Sequence, residues 1–176
     1  MPIETNTIEQ MITYLEDDYL KNIAGFFWQG FNNAALYCFT NDVALDKAMK
    51  WADQSISMSK NFSNLSTKSL LLRKMGKEAE ANKLIDEAKP LANEVSMNAY
   101  GYSLLYTLKD TDAAIKVFEK NVKDYPKSWN VYDSYAEALA VKGKKKDAIK
   151  NYEKALSMAP DTQKQRIQGL IKNLKS

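Results

Sequence analysis

The chain has 176 residues, 45% apolar and 27% charged, the balance of a folded chain with a substantial core or a short repeat array rather than a disordered polymer. Six glycines and four prolines are too few for a turn-rich β architecture, whereas the abundant Ala, Leu, Lys, Glu and Met favour helix. One cysteine, no histidine and a net charge of +3 exclude intrachain disulfides, Ser-His-Asp or Cys-His catalysis and His-based zinc sites, and give no charge excess of the nucleic-acid-binding kind.

The chain opens with Met1-Pro2-Ile3-Glu4-Thr5-Asn6, which has neither the basic nor the apolar region of a signal peptide. Thr7-Ile8-Glu9-Gln10 reads as a capping box that starts a helix with Ile8, Met11, Ile12, Leu15 and Tyr19 on one side. Glu16-Asp17-Asp18 point in different directions around a helix and read as a solvated face rather than a metal site. Gly25 and Gly30 have the spacing of a phosphate loop, but Phe31-Asn32 follow where Lys and Ser or Thr are required. Cys38 lies in the apolar run Ala34–Phe39 and reads as a buried small hydrophobe. No run of 18 apolar residues is present, so no membrane span is expected.

From here the chain repeats itself. Ala114-Ile115-Lys116-Val117-Phe118-Glu119-Lys120 returns as Ala148-Ile149-Lys150-Asn151-Tyr152-Glu153-Lys154, an offset of 34. Backward steps of 33 from Ala114 reach Ala81 and then Ala48. The large residue four places on is Tyr152, Phe118 and Ile85, decaying to Ala52, and a second small position recurs at Ala155, Ala88 and Ser55, with Asn121 breaking the rule. Small side chains let antiparallel helices approach, and the large residue one turn later fills the space beside them. A single such pair means little; four in phase do not arise by chance. Each second helix follows a turn, at Asn41-Asp42, Gly76, Lys109-Asp110 and Gly143. The basic run Lys142–Lys146 falls on the last of these and reads as a solvated turn. First helices carry Phe62, Leu65, Leu72 and Met75, then Asn98, Gly101, Leu104 and Leu105, then Trp129, Tyr132, Tyr135, Ala136 and Leu139. After Asp161, which can cap a last helix, Ile167, Leu170, Ile171 and Leu174 form one apolar side.

The period is that of tetratricopeptide repeats. The expected fold is therefore all-α: a right-handed solenoid of about four tetratricopeptide-like helix-turn-helix repeats with an extra N-terminal helix and a C-terminal capping helix. The expected divisions are 1–25 for the N-terminal extension, 28–61, 62–93, 94–126 and 127–160 for repeats within 26–160, and 161–176 for the cap.

The order Phe27–Ala35, Ala44–Asp53, Asn61–Lys68 and Leu71–Gly76 resembles the C-terminal half of an uncharacterised Bacteroidetes family. In that family a small β-rich domain of unknown function precedes a tetratricopeptide-like tail. The resemblance implies an exported parent with a signal peptide, of which this chain is a C-terminal piece, and hence a periplasmic or exported location. It implies no activity. The stretch Trp129–Glu137 is similar to repeats appended to many hydrolases.

In stacked hairpins the first helices line one side, where polar and aromatic residues not consumed by packing can meet a partner. On these helices we single out Asn33 and Tyr37; Ser66, Leu70 and Arg73; Asn98, Tyr102 and Tyr106; and Asp133 and Glu137. Tyr102 and Tyr106, one turn apart, suit a flat platform for an extended peptide. The Ser, Asn, Asp and Glu on these faces do not suit the C-terminal carboxylate of a peptide. The expected role is a non-catalytic interaction or scaffolding module, binding a protein, a peptide or the parent's own preceding domain, with no cofactor, metal or nucleic acid. The alternatives are a nucleic-acid-binding helical repeat and, third, an enzyme of unknown type.

Overall fold

The computed structural model describes residues 3–176, with side chains from residue 7 onward, and every regular element among them is helical. The all-α expectation holds. The chain forms two compact units, one ending at Ala92 and one spanning Asn93–Ser176.

In the first unit α1 (Ile3–Tyr14) runs into a π turn at Leu15–Tyr19, where the Leu20 N–H donates to the Leu15 carbonyl at 3.0 Å. Two hairpins follow: α2 (Trp28–Asn41) with α3 (Leu45–Met58), and α4 (Phe62–Lys74) with α5 (Glu78–Ala88). The sequence reading of Thr7 as a helix start is corrected here. Because α1 begins at Ile3, Thr7 lies one turn inside it, where backbone N–H groups find acceptors one turn back and a capping box has nothing to satisfy. A genuine box sits at Asn61, whose side chain accepts from the Asn64 N–H at 3.2 Å while Asn64 Oδ1 accepts from the Asn61 N–H at 3.1 Å. The buried Asn64 amide also donates to the Ser59 carbonyl at 2.8 Å, so the entry to α4 is held at three points.

The second unit contains α6 (Glu94–Tyr102), which ends in a second π turn at Ser103–Thr107, paired with α7 (Thr111–Asp124). The hairpin α8 (Trp129–Val141) and α9 (Lys145–Met158) follows, then α10 (Asp161–Lys175). Ile167 and Ile171 of α10 close an apolar cluster with Ala136, Tyr152, Ala155 and Ala159. Asp161 is corrected as well: it is the first residue of α10 rather than its cap, and its carboxylate takes Lys164 at 2.7 Å. That ammonium holds the exposed Asp161 carboxyl below its ordinary value.

Ala48, Ala81, Ala114 and Ala148 each sit on the second helix of a hairpin and are 0% exposed. At the second hairpin the approach is close enough for Ser69 Oγ of α4 to donate to the Ala81 carbonyl at 3.0 Å. The second small column contains two polar residues for a common reason. Ser55 Oγ donates to the carbonyl of Trp28 at 2.8 Å, and Asn121 Nδ2 donates to that of Glu94 at 3.1 Å. Trp28 and Glu94 are the opening residues of the paired helices α2 and α6. Both side chains are fully buried.

Each turn within a hairpin carries a left-handed residue: Asp42 at φ 57°, Gly76 at 77°, Lys109 at 57° and Gly143 at 81°. Glycine adopts this conformation at no steric cost, whereas a Cβ costs about 1 kcal/mol. Lys109→Gly is therefore expected to raise stability by up to about 1 kcal/mol, measured by urea denaturation.

A Cβ at Gly101 would lie 2.6 Å from Phe118 Cε1, below any real contact. Gly to Ala inside an exposed helix gains about 1 kcal/mol, but here the clash decides the sign. Gly101→Ala is expected to lower stability by about 1–3 kcal/mol. The smaller ring-free side chain of Phe118→Leu should make the same substitution less costly in the double variant, a coupling that a double-mutant cycle reads directly.

Candidate functional site

Residues singled out in the first unit do not assemble into a site. Leu70 is 2% exposed and Ser66 8%, with Ser66 Oγ donating to the Ser63 carbonyl at 2.8 Å. Packing consumes both, which corrects their reading as partner-facing. Arg73 folds onto its own hairpin, with Glu78 at 3.1 Å and the Asn82 side-chain oxygen as partners. Asn33 is exposed and Tyr37 half-buried on α2.

The second unit brings its nominated residues together. The Tyr102 hydroxyl lies 2.9 Å from Glu137 Oε2 and 3.1 Å from Ser134 Oγ, and the Tyr106 hydroxyl donates to Glu137 Oε1. One carboxylate thus collects two phenols across α6 and α8. The two rings stack at 6.0 Å with planes 7° apart, and the edge contact of Tyr102 with Phe118 at 5.2 Å fixes its ring from below. Tyr106 remains 53% exposed. A platform is present, but its hydroxyls are already engaged. The π turn at Ser103–Thr107 begins directly after Tyr102 and contains Tyr106. Such turns appear chiefly at functional positions because they re-aim side chains within a helix.

One turn earlier on α8 lies Asp133, 6% exposed. Its Oδ2 accepts from Arg166 of α10 at 2.8 Å, while its Oδ1 is buried with no hydrogen-bond partner. One turn before Tyr102 on α6, Asn98 also has a buried, unpartnered Oδ1. Burial raises the Asp133 carboxyl, Arg166 opposes this, and the Glu137 charge adds to it. The Tyr106 phenol is pushed up to about 12 by burial and then by Glu137. Burial also raises Tyr102 and Tyr152, so all three phenols stay protonated as donors.

Sequence reasoning missed Ser134 and Arg166. Arg166 follows Asp133 by one repeat period, a signal readable only once α10 is treated as the first helix of a further, incomplete hairpin. Cys38 matches its reading: it is fully buried, and desolvation pushes its thiol up to about 11.

Residues 130–162 match the family described as the tetratricopeptide repeat. The fold is that of tetratricopeptide repeats. Among solved structures, MamA residues 41 to the end from Desulfovibrio magneticus RS-1 is 17% identical over 84% of this chain and 82% of its own, with a TM-score of 0.50. A MamA RS-1 double mutant is 18% identical over the same shares, also at 0.50. YrrB, described as a tetratricopeptide-repeat protein with an unusual peptide-binding site, superposes less well: 14% identity, 90% and 81% coverage and a TM-score of 0.46. At these identities the likeness concerns the fold. No curated protein matches the chain.

A carboxyl raised by folding, as Asp133 is, stabilises the fold below its unfolded value and forfeits that contribution as pH rises through the folded one. At pH 7 the ionised Asp133 therefore weighs against folding. Asp133→Asn is expected to leave Tm unchanged or higher at pH 7, with its advantage over the parent shrinking as pH falls toward 4. Paired thermal melts at the two pH values check this; a Tm several degrees lower at pH 7 would contradict it.

Proposed function

We propose that the second unit binds an extended peptide or protein segment along the face shared by α6, α8 and α10, acting as a non-catalytic interaction module. The observation that carries this reading is the prearranged aromatic and polar surface of Tyr102, Tyr106 and Glu137. Two rings held rigid by hydrogen bonds lose little entropy on binding, and Tyr106 presents its open side to a ligand. A tetratricopeptide fold supports an interaction role in general, since its stacked hairpins expose rows of side chains on an extended surface. The partner is a protein or peptide, and a preceding domain of an exported parent remains one form it can take. On that reading the location is periplasmic or exported.

Nucleic acid suits this face poorly, because Asp133 and Glu137 would meet phosphate with like charge. Within the Lys-rich turn, Lys142 is paired with Asp112 at 2.7 Å.

Peptides selected against the chain from a random displayed library provide the test. Tyr106→Ala is expected to weaken the selected peptides by about tenfold or more with helicity by circular dichroism unchanged. If they bind the variant as tightly as the parent, ligands do not use this face.

A further inference from the structure

We propose that the short apolar turn Ile23–Phe27 of the first unit is a self-association surface, pairing with the same turn of a second copy of this chain through contacts separate from the peptide face of the second unit.

The starting observation is a set of large apolar side chains that face water from a firmly held backbone. Ile23, Phe26 and Phe27 are 78%, 75% and 59% exposed, and no residue of the 3-10 turn Ile23–Phe26 is buried. The turn is not loose. The Gly25 N–H donates to the Asn22 carbonyl at 3.0 Å, the Phe27 N–H to that of Ala24 at 3.3 Å, and the Gly30 N–H to that of Phe27 at 3.1 Å. A Cβ on Gly25 would lie 1.9 Å from the Leu20 carbonyl oxygen, and one on Gly30 would lie 2.0 Å from that of Ala24. Backbone approach this close admits only glycine, so two positions serve to hold the turn in the form that aims its side chains outward. A rigid surface of this kind loses little entropy when it is covered.

Shape, charge and area together select a second copy. Residues three apart eclipse in a 3-10 turn, so Ile23 and Phe26 form a row with one aliphatic and one aromatic end. Two such rows related by a two-fold axis run antiparallel. Each Ile23 then meets the partner's Phe26, and the surface is its own complement. Charge raises little barrier, because in the preceding segment Asp17 is paired with Lys21 and Glu16 with Lys47, each at 2.6 Å. The same pairs disfavour an anionic bilayer, since both lysines are engaged and Asp18 adds a further negative charge. The three side chains present roughly 450 Å² per copy, a size at which an exposed patch is often functional. Two copies cover about 900 Å², short of the ~1,200 Å² of stable complexes. The pairing is therefore weak and reversible.

Sedimentation of the full chain is expected to show dimers half-formed at about 100 μM, within a factor of about ten. Phe26→Glu, which sets a carboxylate against the partner's Ile23, should raise that midpoint at least about tenfold with helicity by circular dichroism unchanged. Cys38 is the single cysteine and is fully buried, so an introduced surface thiol reports on its own surroundings. Under mild oxidation a mixture of Ile23→Cys and Phe26→Cys chains is expected to cross-link several-fold faster than one of Ile23→Cys and Lys60→Cys chains. A chain that stays monomeric at about 1 mM, a midpoint that Phe26→Glu leaves in place, or equal cross-linking in the two mixtures would each overturn the pairing. Monomers that bind phosphatidylcholine vesicles, and lose that binding in Phe26→Glu, would overturn it in favour of a bilayer.

Discussion

Close approach of helix backbones at a few small residues is the constraint on which this structure depends. Ala48, Ala81, Ala114 and Ala148 lose all solvent contact, and at the second hairpin the separation is short enough for a serine hydroxyl to reach a main-chain carbonyl. Dispersion at such contacts is small per atom pair but accumulates along a seam. Once the pairs are set, the neighbouring large residues have only one place to go, and Gly101 is left bare because the Phe118 ring already fills the room a side chain would need.

The same constraint explains what could be read in advance. The alanine phase alone sufficed to recognise helical hairpins, since packing distance leaves a trace in residue size. Irregular details left no such trace. The two π turns at Leu15–Tyr19 and Ser103–Thr107 lie in ordinary apolar-periodic sequence, and nothing in composition marks an i→i−5 bond. Thr7 carries good capping chemistry inside a running helix, and Asp161 carries it one residue past the cap position. Local signals of this sort are worth about 1 kcal/mol and yield to a continuing helix or to a closer lysine.

The functional face was legible in part. Periodicity puts Tyr102, Tyr106, Asp133 and Glu137 on first helices, but it does not reveal that a single carboxylate gathers both phenols or that Arg166 reaches back from the last helix. In the other unit the same reasoning chose Ser66 and Leu70, which packing takes. The difference arises from side-chain reach. Tyr and Glu extend past the seam to meet across two helices, whereas Ser and Leu end within it.

Ser55 and Asn121 show how a departure from a repeat rule can encode alignment. Each ties the far end of one helix to the opening residue of its partner, Trp28 in one case and Glu94 in the other. Oily contact alone tolerates sliding, whereas an amide or hydroxyl tolerates a single axial position. An engineer who averaged this column to alanine would keep the hairpins yet erase the notch that stops them slipping lengthwise, and two of the four repeats would lose their index mark.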